Sequence, residues 1–216
     1  MKRAMIVSGP TQEAIDPVRF ISNRSSGLTG YHLAETAVSC GFEPFCFISG
    51  PVARLPRAPR EIVSVESAAE MRDAVLNHLD RVDVVIMAAA VSDYRPAEVS
   101  GIKIKKGEDE LVLRLVKNPD ILSEIGRRRR PGQLLVGFAA ETDRGAENAR
   151  DKLLRKNADL IVLNLVSRDN PAFGDCRNRV SFVTREAVED LPPLEKEELA
   201  RRIWARIDAL AAVKGG

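Results

Sequence analysis

Three lysines stand close together at Lys103, Lys105 and Lys106. On an extended segment Lys103 and Lys105 share one face and Lys106 takes the other. Flexible ammonium groups suit a mobile triphosphate or a departing pyrophosphate. The competing reading is an edge strand guarded by lysines. Asp93 follows the apolar run Val84 to Val91 and falls at the same sheet edge as the first loop. A carboxylate there can orient a nucleotide or help to hold Mg²⁺; it can equally be a turn aspartate. Lys152 and Lys156 are spaced i, i+4, on one face of a helix, as a phosphate clamp or as an exposed pair. Phe138 closes an apolar strand pattern, where its ring could pack against a base or belong to the core. The spacing shows no Ser-His-Asp, Cys-His or metal-ligand set, so no metal ligand is assigned.

These residues need an edge to stand on, and the stretch Ser8 to Gly30 provides one. An apolar strand, Ala4 to Val7, leads in. Tyr31, Leu33, Ala34, Ala37 and Val38 lead out at helical spacing up to Gly41. In an open α/β sheet such a loop lies at the carboxyl ends of the strands, where ligands bind. Strand-to-helix loops usually run to about 2–6 residues, so the length itself points to function. Ser25-x-Gly27-x-x-Gly30 is a degenerate dinucleotide fingerprint, but it comes far beyond the first strand. The second strand, Pro44 to Ile48, ends in Ser49-Gly50-Pro51, without the acid that would meet a ribose. An NAD(P)-binding oxidoreductase of Rossmann type is therefore the weaker alternative. The amides of Gly27 to Gly30 open a helix and could still hold an anion.

The 216 residues are read as one domain, 1–216. With 33 basic and 31 acidic residues the net charge is +2, which makes no electrostatic case for nucleic acid. The basic run Arg127 to Arg130 reads as the solvated end of a helix. Cys40, Cys46 and Cys176 lack metal spacing and read as reduced thiols of a cytoplasmic protein. His32 and His78 sit far apart and do not support a histidine metal site. Met1-Lys2-Arg3 leads into too few apolar residues for a secretory signal, and Val84 to Val91 is too short to span a membrane.

Strands and helices alternate, so the fold class is α/β: a Rossmann-like, doubly wound, mostly parallel sheet. Strands are expected at Ile62 to Val65, Val82 to Ala88, Leu134 to Phe138, Leu160 to Leu163 and Val180 to Val183. Ser67-Ala68-Ala69-Glu70 is a capping box that starts a helix ending near Leu79. Further helices are expected from about Asp143 to Lys156 and from Leu194 to Val213, with a loop at Asn164 to Arg179. The alternation breaks once. Ile102 to Lys106 and Leu111 to Val116 alternate about a turn at Gly107, which predicts an inserted β-hairpin. Asn118-Pro119-Asp120 then reads as a helix start, with Asn as cap and Pro in the first position.

Taken in order, Arg19-Phe20-Ile21-Ser22-Asn23-Arg24-Ser25-Ser26-Gly27, Ala89 to Pro96, Lys103 to Lys106, Lys117 to Leu122 and Val136 to Thr142 carry a resemblance. Over nearly the whole chain they resemble the bacterial phosphopantothenoylcysteine synthetases, the phosphopantothenate–cysteine ligases of coenzyme A biosynthesis. The resemblance implies two steps. The carboxylate of 4′-phosphopantothenate attacks the α-phosphate of CTP, with Mg²⁺, giving an acyl-cytidylate and pyrophosphate. The amine of cysteine then displaces CMP. It also implies that Ala89, Asp93, Lys103, Phe138, Lys152, Lys156 and the helix start Pro119, Asp120, Ile121 and Leu122 hold the nucleotide. Arg19 and Asn23 face the phosphopantothenate, and Asn23 and Lys103 are the catalytic pair. The family's enzymes are homodimers, so the hairpin is expected to reach a second copy. A flavin-dependent phosphopantothenoylcysteine decarboxylase, fused or separate, is the expected partner activity. Eukaryotic relatives use ATP, and no residue here reads the base from physics alone. The chain departs from the family pattern at Gly9-Pro10, usually Gly-Gly, and at Leu28-Thr29, usually Lys-Met.

Overall fold

Runs such as Ala4-Met5-Ile6-Val7 and Val84-Val85-Ile86-Met87 are apolar at every position, so their strands need cover on both faces. The computed structural model describes residues 1–105, 110–167, 170 and 177–215. In chain order the elements are β1 Lys2–Ser8, β2 Gln12–Ala14, β3 Phe20–Ser22, α1 Leu28–Thr36, β4 Phe42–Ser49, β5 Glu61–Ser64, α2 Ala68–His78, β6 Val84–Met87 and β7 Tyr94–Pro96. They continue as β8 Leu115–Lys117, α3 Ile121–Arg128, β9 Leu134–Glu141, α4 Gly145–Arg155, β10 Leu160–Leu165, β11 Val180–Val183, β12 Val188–Asp190 and α5 Lys196–Gly215.

Among the described residues the main sheet has the order β12-β11-β10-β9-β6-β1-β4-β5. From β10 through β5 every pairing is parallel, and β11 and β12 add on antiparallel. Renumbered among themselves, the six parallel strands run 3-2-1-4-5-6, the doubly wound order. Alternate side chains serve opposite layers. Met5, Val7, Val85 and Leu135 pack with α2, α3 and α4, whereas Ala4, Ile6, Ile86 and Val136 pack with α1 and α5. In the second layer Trp204 stacks on Phe42 at 4.6 Å between ring centres and donates its indole N–H to Leu33 O at 3.0 Å.

The expected α/β sheet is present, with several corrections. The inserted antiparallel pair exists, but its arms are β7 and β8, in the register Tyr94↔Lys117 and Pro96↔Leu115. Residues 102–105 form no strand, and the turn at Gly107 lies outside the described residues, as do Lys106 and Cys176. The alternation of Ile102 and Ile104 therefore describes a segment with no ladder partner in the described chain. Asn118 is not the helix cap: Asp120 is, accepting from Ser123 N at 3.0 Å, while Asn118 Nδ2 donates to Ser92 O at 2.8 Å. The capping box at Ser67 and Glu70 forms as expected. Arg127, Arg128 and Arg130 are exposed as expected, but Arg129 is not solvated. It pairs with Asp159, which also accepts from Leu135 N at 2.8 Å and Lys214 at 2.6 Å, so this one arginine helps to lock the base of the sheet. Two features had no sequence signal: the ribbon β2–β3 inside the long loop, and the edge strand β12.

Candidate functional site

The strand order reverses between β1 and β6, and a crevice opens beyond their carboxyl ends. The long loop is laced to the stretch after β6. Ala90 N donates to Gly9 O at 2.9 Å, Thr11 N to Ala90 O at 3.3 Å, and Ser92 N to Thr11 Oγ1 at 3.0 Å. Pro10 pairs with Ala90 as a parallel bridge, so its missing amide is not needed there. Asn23 Nδ2 donates to Ala90 O at 3.0 Å, which holds the amide at the reversal point. Gly30 has a packing reason: a Cβ there would lie 2.1 Å from Ser8 Oγ, so α1 can press onto β1 only through glycine. That contact explains Gly27-x-x-Gly30 without a dinucleotide. Gly27 caps α1 at φ 73°, and the helix start opens on a small cavity of about 170 Å³, which Phe138 and Lys196 also line.

The larger cleft, about 860 Å³, lies between β6, β9, α3 and α4. It brings together Ala89, Asp93, Pro119, Asp120, Ile121, Leu122, Phe138, Lys152 and Lys156. Lys152 Nζ donates to Phe138 O at 2.7 Å across its wall. Burial holds Lys152 below the ordinary lysine pKa, with the neighbouring Lys156 adding to the effect and Glu141 opposing it. Lys156 caps the C-terminal end of α4 and pairs with Asp120, the cap of α3, so one ion pair fastens the two helix ends across the cleft. Burial pushes the Asp120 carboxyl up, but the hydrogen bonds from Lys156 and Ser123 N prevail and lower it. The exposed carboxylate of Asp93 has no hydrogen bond or ion pair among the described residues.

Arg19, Asn23 and Lys103 do not line this cleft. Asn23 sits on Ala90, which lines the smaller cavity. Arg19 is held by Asp16, whose carboxyl the Arg19 guanidinium keeps far below the usual carboxylate range. Lys103 is exposed and stands beside Ile104, which the Asp16–Arg19 pair binds. Sequence reasoning missed Asn148, Asp151 and Arg155, which also line the cleft. With Lys152 and Lys156 they fall at i, i+3, i+4, i+7 and i+8, a single helical face that the spacing could have revealed. The group Cys46, Glu61 and His78, from β4, β5 and α2, was also missed. Their side-chain heteroatoms lie within 4.8 Å of one another. His78 Nδ1 is 2.7 Å from Ala74 O and Nε2 is 3.3 Å from Glu61, and burial pushes the Cys46 thiol up to about 12.

Fold and site define a Rossmann-type α/β protein with a large, cation-bearing cleft beyond the carboxyl ends of β6 and β9, beside the topological switch point. The chain belongs to the family described as the DNA/pantothenate metabolism flavoprotein C-terminal domain, whose model matches residues 1–210. A relative from Bacillus subtilis, the coenzyme A biosynthesis bifunctional protein CoaBC, is 43% identical over 216 residues, 99% of this chain and 53% of that protein. The chain thus spans about half the length of the curated relatives it matches. A crystal structure of the C-terminal domain of a coenzyme A biosynthesis bifunctional protein CoaBC is 42% identical. It has a TM-score of 0.81 and covers 97% of this chain and 95% of that one. The DNA/pantothenate metabolism flavoprotein from Streptococcus pneumoniae is 27% identical, with a TM-score of 0.83 and coverage of 97% and 99%.

Proposed function

We propose that residues 1–216 form one nucleotide-binding ligase domain that joins 4′-phosphopantothenate to cysteine through an acyl-cytidylate made from CTP. The observation that carries this reading is the cleft itself. Lys152 and Lys156 on α4 face the capped start of α3 across a space sized for a nucleotide, and the family's known role supplies the substrates. A carboxylate resists attack by an amine until it is joined to a good leaving group. Activation on phosphorus needs mainly positioning and charge neutralisation, which lysines and amides provide without a strong nucleophile. Phe138 would lie against the base, and Lys152 and Lys156 would hold phosphates. Arg19 and Asn23 would face the pantothenate, with Lys103 brought to the α-phosphate. Mg²⁺ fits this donor set, since a small hard cation takes one or two carboxylates plus substrate phosphates and the Asp93 carboxylate is unpaired. Asp93 would hold it, and the ion would neutralise triphosphate charge.

We further read the protein as cytoplasmic, acting beside a decarboxylase that consumes its product. No described helix is long and apolar enough to cross a membrane. A homodimer is part of the reading, because Ile102 and Val112 are 78% and 87% exposed in the inserted region. The deciding experiment is pyrophosphate release with 4′-phosphopantothenate, cysteine and either CTP or ATP. CTP should support release and ATP should do so poorly; equal rates would refute the bacterial assignment. The oxidoreductase alternative is not favoured, since the first strand runs into a long loop instead of a glycine turn.

A further inference from the structure

We propose that Asp16 is a positioning residue that fixes Arg19 and the Lys103 segment as one unit. The proposal rests on the ligase reading above and assigns that site a part it lacked. Asp16 lies in the long loop between β2 and β3, and its side chain has no exposed surface. Its two oxygens divide the work. Oδ1 accepts from Val18 N and Arg19 N, both at 2.9 Å. Oδ2 accepts from Arg19 Nε at 3.0 Å, from Arg19 Nη2 and from Ile104 N at 3.1 Å.

The bonds to Val18 and Arg19 are what any loop aspartate makes to its own turn. The bond to Ile104 is different, because it crosses 88 residues of sequence and no local turn requires it. Arg19 Nη2 completes the joint by donating to Ile104 O at 3.0 Å, so residue 104 is held through both of its backbone groups. Ser100 N adds a second tie, to Ile15 O at 3.0 Å.

Two consequences follow for the reacting groups. Lys103 and Lys105 flank Ile104 and belong to no strand, so this joint sets where their ammonium groups can reach. Asp16 and Ile104 O together occupy Nε and Nη2 of Arg19. Nη1 makes no hydrogen bond among the described residues and is left for a substrate anion. A charged acceptor is required: charge-assisted hydrogen bonds are roughly twice as strong as neutral ones, and an asparagine that kept Oδ1 would set an amide NH2, itself a donor, against the three donors at Oδ2.

The test is pyrophosphate release from CTP and 4′-phosphopantothenate in the parent, Asp16→Asn, Lys103→Gln and the double variant. Misplacing a reacting group by about 1 Å can cost ~10²-fold, so Asp16→Asn should lower kcat by ~10- to 100-fold and change the KM for CTP less. A merely structural role would instead lower the amount of folded enzyme and leave both constants of the remainder unchanged. The double variant should stay within about threefold of the slower single one, since both act through one unit. Losses that multiply would overturn the proposal. Should Asp16→Asn fail to fold, Ile104→Pro removes the amide that reaches Asp16 from the lysine segment and also stiffens the backbone at Lys103 and residue 104. It should show the same non-additivity with Lys103→Gln, and turnover like the parent's would overturn the idea. Amide exchange needs no substrate and separates this proposal from the ligase reading. The Ile104 amide should be protected at least ~10-fold in the free chain and lose that protection in Asp16→Asn, while Ile6 in β1 keeps its own. An unprotected Ile104 amide in the parent refutes the joint. Protection that Asp16→Asn removes supports it even in a chain that releases no pyrophosphate, and that second result then counts against the ligase reading.

Discussion

Lys152→Met should move stability and nucleotide affinity in opposite directions. Lys152 Nζ lies under the wall of the cleft, 2.7 Å from Phe138 O, and burial lowers its pKa. A lowered lysine pKa means that the folded state opposes the charge. Methionine keeps the length and the apolar stem without the ammonium, and water in the open cleft can replace the lost donor at Phe138 O. The ligand-free variant should therefore be as stable as the parent or slightly more so. With a triphosphate bound the balance reverses. A unit charge pair at 4 Å is worth about 4 kcal/mol at an effective dielectric near 20, and a net charged hydrogen bond ~1.5–3 kcal/mol. That corresponds to ~10- to 100-fold weaker CTP binding. Thermal melting and calorimetric titration with CTP measure both halves. The same lysine gives a pH signature. Between its lowered pKa and the ordinary lysine value the unfolded chain holds more protons, so ligand-free stability rises with pH. Phosphate raises the pKa again, so CTP binding takes up a proton there and weakens as pH rises. Titrations in two buffers of different ionisation enthalpy would detect the uptake. A variant that loses more than about 1 kcal/mol of stability and binds CTP normally would refute this and make Lys152 a tether of α4 to β9.

Two further predictions concern Asn23 and Ser92. Asn23→Asp should still form the acyl-cytidylate but pass it to cysteine poorly, because a carboxylate repels the charge that grows on the acyl oxygen. The intermediate should then accumulate by mass spectrometry, and equal loss of both steps in a variant that melts like the parent would place Asn23 in the first step. Ser92 Oγ is buried with no hydrogen-bond partner among the described residues, at a cost of ~1–3 kcal/mol, so Ser92→Ala should melt at the parent temperature or above. A clear drop in melting temperature would mean that a bound water satisfies the hydroxyl.

What could be read from the chain, and what could not, follows the range of the interactions involved. The parallel strands were legible because burial on both faces leaves continuous apolar runs, as at Val84 to Met87. The capping box at Ser67 was legible because Glu70 is one turn away. The cap of α3 was misread by two residues, since Asn118 and Asp120 are both good caps and only the distant Ser92 carbonyl decides between them. The hairpin failed for a related reason. Ile102 and Ile104 alternate like a strand, but alternation records which side chains differ in polarity, not whether a partner backbone is present. The partner of β8 is Tyr94–Pro96, three residues with a proline, too short to stand out.

Lys103 shows where this limit matters for function. Its type and spacing suggested phosphate chemistry, and its motif carried the family resemblance, yet it lies outside the cleft that the other nucleotide residues line. What holds its segment is a backbone amide on a carboxylate from the first loop, a contact without any pattern of residue types. The residues that line the cleft are short-range features of strand ends and one helix face. Arg19, Asn23 and Lys103 arrive on the long loop and the inserted segment, and both are shaped by contacts distant in sequence. If Lys103 acts on the α-phosphate as proposed, it reaches that group either by movement of its tied segment or from a second copy of the chain. A mixture of Lys103→Gln and Lys152→Met chains separates these routes. At CTP too dilute to fill the Lys152→Met site, chains working alone would regain no activity on mixing, whereas sites shared between copies would regain about a quarter of the parent rate if the chains pair at random and each mixed dimer keeps one intact site.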